Sequence, residues 1–166
     1  MSVPRNIHVL TEQFARLGAR DPSSWAKSQL SDGIEQLHRF LFLRQAWRQI
    51  LPDGDTQWVP RAVQRAKAKP TEPYAGVGLA LARCLEKGVD PRDLSDIVRG
   101  TQAEALFSFC YLLEDPGFEE PELEDVGWCL VVTDENLEPT DRPINGLHES
   151  VLGTDPSGRE MRARDA

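Results

Sequence analysis

The sequence predicts an α+β protein: a mainly helical array of five or six helices over residues 6–114, then a C-terminal β-hairpin or small antiparallel sheet. Three observations carry this reading. Apolar residues recur at spacings of three and four through the first two thirds of the chain; the period switches to strict alternation after Val126; and a dense acidic stretch separates the two regimes. The 166 residues, 40% of them hydrophobic, suffice for one domain. A chain of this length buries roughly 70% of its unfolded surface, enough for a core without disulfides or a structural metal.

Ile7, Leu10, Phe14 and Leu17 trace one face of a short first helix that Gly18 closes. Asp21-Pro22 offers an N-cap followed by proline at the first helical position, and Ser31-Asp32-Gly33 a break. The main helix of this region is expected from about Asp32 to Leu51. Ile34, Leu37, Leu41, Arg44, Trp47 and Leu51 lie along it, with Phe40 and Leu43 widening the apolar face until Pro52-Asp53-Gly54-Asp55 stops it.

Trp58 to Pro70 reads as a basic helix with a narrow apolar face. The next helix restarts at Thr71-Glu72-Pro73, runs to Lys87 and closes at Gly88. In it Gly76, Ala80 and Cys84, and likewise Gly78 and Ala82, are four apart, giving shallow faces where another backbone can approach. Neither G-x-G-x-x-G nor a Walker lysine follows Gly76-Val77-Gly78, which therefore reads as helix packing. Asp90-Pro91-Arg92-Asp93 opens the last helix, and the apolar run Ala105, Leu106, Phe109, Cys110 and Leu113 makes Asp90–Leu113 the expected centre of the core.

Val126, Trp128, Leu130 and Val132 alternate with their neighbours and predict a strand over 126–133. After the turn at Asp134-Glu135-Asn136, a second strand is expected over 138–146. Pro139 and Pro143 confine it to an edge.

Charge is unevenly placed. Nineteen basic and 27 acidic residues give a net charge of -8, but residues 1–70 carry +5 and residues 71–166 carry -13. The connector Glu114–Asp125 holds seven carboxylates and no base, and a block of that density is expected to stay hydrated.

Several classes are excluded or disfavoured. Apolar runs are far shorter than the roughly 20 residues a bilayer span needs, so no membrane association is expected. Met1–Leu17 has no continuous hydrophobic leader, and a cytoplasmic location is expected. Cys84, Cys110 and Cys129 lack C-x-x-C spacing and are read as buried free thiols, with no metal or cofactor implied. Fifteen arginines against four lysines point to a GC-rich bacterial coding sequence.

Three functional expectations follow. The first is a small soluble binding protein of inhibitor or immunity type. It would engage a basic protein partner through Glu119, Glu120, Glu122, Glu124 and Asp125, its on-rate raised by complementary fields. The second is a small-molecule or metal-dependent enzyme using His148 and Glu149 as proton acceptor and ligand, Asp155 as orienting group and Arg159 as anion clamp. Against it, His148 and Glu149 diverge by about 100° on a helix, and neither H-E-x-x-H nor G-x-S-x-G occurs. The balance leans away from catalysis. The third is nucleic-acid binding through Arg61–Lys69, disfavoured by the acidic total and the lack of interleaved aromatics.

Overall fold

The computed structural model describes residues 6–123 and 125–164. Among the described residues it is α+β: six α-helices precede a two-stranded antiparallel sheet. The chain divides into two compact units, one holding residues up to Trp47 and from Ala105 onward, the other Arg48–Glu104.

In the first unit, α1 (Ile7–Leu17) starts where the Asn6 side chain accepts the backbone N–H groups of His8 and Val9, and ends at Gly18. α2 (Pro22–Ser31) starts at Asp21, whose carboxylate accepts from Ser24 N. The next helix is shorter than expected: α3 spans Gln36–Trp47, because the chain turns at Gly33 with φ +68°. Side chains of α2 then receive it. Gln29 Oε1 accepts from Leu37 N at 2.8 Å, and Gln36 donates to Ser28 Oγ at 2.9 Å. Phe14 stacks on Trp25, and both meet Phe40 edge-on, around Leu10, Ala26 and Leu37.

In the second unit, α4 (Trp58–Ala68) packs on α5 (Ala75–Glu86) at a close crossing. A Cβ at Gly78 would overlap the Ala62 carbonyl and the Ala66 methyl, so only glycine permits this approach. Val59 and Leu81 pack there with Leu94 of α6 (Pro91–Leu112). Arg99 is buried and donates to Leu51 O at 2.5 Å, holding the loop that leads into α4.

The expectation that 90–113 forms the core centre is corrected. The helix is unbroken, but its buried positions are Leu94, Ser95, Arg99, Ala103 and Cys110, whereas Ile97, Phe107, Phe109, Tyr111 and Leu112 are exposed. The buried face of α6 is mostly small or polar and the large apolar residues point outward, the reverse of an ordinary amphipathic helix.

The hairpin also departs from expectation. β1 covers only Val131–Thr133 and β2 Pro139–Pro143, paired with an irregularity between Val131 and Thr133. Trp128 is drawn out of the ladder: its indole N–H donates to Leu112 O at 2.8 Å, capping an otherwise unpaired carbonyl at the end of α6. Ile144 N still donates to Leu130 O at 2.8 Å, and past it the Asn145 carbonyl accepts from Arg39 while Gly146 N donates to Glu114, drawing the chain away from the sheet. Of the three cysteines, Cys110 is buried, Cys84 half-buried and Cys129 exposed, so the expectation of three buried thiols is corrected at Cys129. The failed strand explains this, since Cys129 sits in the stretch that never joins the sheet.

Candidate functional site

The polar tail is a clasp. Trp47 donates from its indole to Val151 O at 2.9 Å, and Arg20 reaches Gly158 O at 2.9 Å and Glu160 at 2.7 Å. Its four candidate catalytic residues are placed as follows. His148 lies with Nδ1 2.6 Å from Glu114 Oε2, wedged edge-on between Phe107 and Tyr111. Asp155 is buried and accepts from Ser157 N and Oγ. Arg159 donates to Arg162 O at 2.6 Å. Glu149 lines the cleft at the start of α3.

That cleft, of about 490 Å³, lies among the start of α3, β2 and the turn that follows, and is bordered by Glu35, Arg39, Glu114, Asp141, Arg142 and Glu149. The sequence reading missed Glu35, Arg39 and Arg142. One signal was available: Arg39, Leu43 and Trp47 recur at i, i+4 and i+8, placing a cation in the buried stripe of α3. Its two arginines are matched by carboxylates of the same cleft. Arg142 donates Nε to Glu35 Oε1 at 2.7 Å and Nη2 to Oε2 at 2.6 Å, a two-pronged pair that raises the arginine's pKa. Burial raises the Glu35 pKa, but Arg142 and His38 outweigh it, and the carboxyl sits below its usual range. Arg39, 5% exposed, donates to Asn145 O and Ser150 Oγ and lies 3.6 Å from Glu149; burial is the main force lowering its pKa. These groups hold α3 to the hairpin and tail.

The second surface runs from the end of α6 through the connector. Half of the fourteen large apolar side chains that are exposed among the described residues fall between Phe107 and Trp128. Phe109 is 65% exposed, and Phe118 meets Trp128 edge-on at 5.5 Å. Glu119, Glu120, Glu122 and Asp125 are exposed, and none makes an ion pair with a described residue; Glu124 lies outside the described residues. Glu114 differs, being held by Gly146 N and His148. Behind this surface Cys110 is buried, and burial, then the Glu114 charge, push its pKa up to about 11.

On α4, Arg61 pairs with Asp55 at 3.5 Å and Lys69 with Glu72 at 2.7 Å, while Arg65 and Lys67 are exposed. Among the described residues, no helix is long and apolar enough to cross a membrane, and no three His, Cys, Asp or Glu side chains gather as metal ligands would. No protein-family model, curated protein or solved structure matches the chain.

Proposed function

We propose that this chain is a binding protein of inhibitor or immunity type that docks a basic protein partner through the connector and the aromatic residues beside it. The observation that carries the reading is the exposed aromatic pair Phe118 and Trp128, in edge-on contact, in one segment with the exposed carboxylates Glu119, Glu120, Glu122 and Asp125. Contiguous exposed apolar surface on a soluble fold marks an interaction site. Aromatics of this size bury about 150–250 Å² each. The carboxylates supply the sign of the partner. They steer a cationic surface in and penalise an acidic one.

The test is binding of an immobilised arginine-rich amphipathic peptide. Tight association at low salt, with an on-rate that falls at least tenfold as ionic strength rises about tenfold, supports the reading. Substitution of lysine at Glu119, Glu120, Glu122 and Glu124 together should abolish it. Unchanged binding by that variant would remove the proposal.

A further inference from the structure

Resting on that reading, we infer that the basic surface met by the connector is the groove between α4 and α5 of a second copy of this chain, so that copies associate head to tail.

The groove has a volume of about 260 Å³ and lies wholly within the second unit. Trp58, Ala62 and Val77 supply apolar walls, and Arg65 and Lys69 edge it. Helix α4 contains no acidic residue, and Arg65 makes no ion pair among the described residues. Tyr74 stands at its end, 88% exposed, with a backbone φ of +67° that side chains other than glycine rarely adopt. Its hydroxyl makes no hydrogen bond among the described residues. An aromatic held in that conformation in water contributes nothing to the fold that glycine would not do better.

The connector has the complementary chemistry. Phe118-Glu119-Glu120-Pro121-Glu122-Leu123 presents one exposed aromatic ring and three exposed carboxylates, with no cation of its own segment to neutralise them. Phe118 suits the apolar floor beside Tyr74, and Glu119 and Glu120 suit Arg65 at the groove edge, where Lys69 is already paired with the lining residue Glu72 at 2.7 Å. The alternative like-on-like contact, connector against connector, would set two carboxylate blocks face to face. Each such contact uses the connector of one copy and the groove of another, so association rises with concentration.

Sedimentation velocity between about 10 and 500 µM, at about 20 mM and 500 mM salt, reads this directly. The weight-average mass should rise with concentration at low salt and return to monomer at high salt. Arg65→Glu, and separately Glu119→Lys with Glu120→Lys, should each leave a monomer. Mixed together, the two variants should form a one-to-one dimer and nothing larger, since one keeps a working connector and the other a working groove. Tyr74→Gly should weaken association about tenfold while raising the thermal midpoint; a Tyr74 that serves only the fold would lower it. A monomer at every concentration whose connector still binds the arginine-rich peptide overturns the self-association and leaves the proposed function standing. Loss of both overturns both. Self-association that survives Arg65→Glu, or variants that stay monomeric when mixed, also overturns it.

Discussion

Glu35→Gln tests whether the charge pair bordering the cleft of the first unit holds the fold or merely decorates it. Glu35 lies just ahead of α3 with a side chain 12% exposed, and both its oxygens accept from Arg142 of β2, whose side chain is 42% exposed. A hydrogen bond to a charged group contributes about 1.5–3 kcal/mol and a fully exposed ion pair about 0.2–1 kcal/mol. A half-covered fork falls between these limits. Glutamine keeps one acceptor but turns an N–H toward the other arginine N–H, so one bond and the charge are lost, for roughly 1.5 kcal/mol. Arg142→Met removes the same interaction from the other side, and the coupling energy of the double-mutant cycle should be about 1 kcal/mol. Urea denaturation followed by tryptophan fluorescence supplies the four stabilities. Because the Glu35 carboxyl titrates below its ordinary value of 4.5, its contribution is complete above that pH and is lost as pH falls through the folded-state value. The difference between wild type and Glu35→Gln should therefore shrink between pH 7 and pH 3. A coupling below about 0.3 kcal/mol, or a difference independent of pH, would refute the argument.

Gly78→Ala should destabilise the second unit by about 2 kcal/mol or more, read from its denaturation midpoint, because the new methyl meets the Ala62 carbonyl, a backbone atom that cannot swing aside. Trp47→Phe should cost about 1 kcal/mol and increase amide exchange around 151–154, since the Val151 carbonyl loses its indole donor. A disulfide reagent should modify Cys129 in the native protein, whereas Cys110, buried and with its pKa pushed up to about 11, should react only on unfolding; mass spectrometry of the quenched protein distinguishes the sites.

Local signals were legible where one short segment decides its own structure. Asn6 and Gly18 bracket α1, Asp21-Pro22 starts α2, and Gly78 with Ala82 marks the close approach of α4 and α5. Periodicity identified α6 but not the face it buries. Ile97, Phe109 and Leu112 lie across the helix from Arg99, Ala103 and Cys110, and although the first set is the more apolar, only the surrounding fold selects the second for burial. The strand over 126–130 failed for a related reason: alternation says that a segment can pair, whereas the open carbonyl at Leu112 decides where Trp128 goes. The cleft could not be read at all from local pattern. Glu35 and Arg142 are 107 positions apart, and their pairing depends on how the hairpin returns to α3.

The placement of charge beside the exposed aromatics has a consequence of its own. An uncovered patch of this kind would ordinarily promote indiscriminate association, because burial of apolar surface has no directional preference. Carboxylates along its edge alter that balance. Two such patches brought together confine both acidic blocks within a Debye length of about 8–10 Å, and the repulsion grows as water is expelled from between them. A basic surface meets the opposite change, gaining Coulomb attraction as the aromatics are buried. On the proposed reading the same apolar area favours a cationic surface, the groove of a second copy included, over another acidic patch, and neutralising Glu119, Glu120 and Glu122 with glutamine should convert a selective surface into a sticky one. That variant should lose affinity for the arginine-rich peptide and gain salt-insensitive aggregation. A variant that lost peptide binding yet stayed as dispersed as the wild type would show that the carboxylates do not restrain the patch.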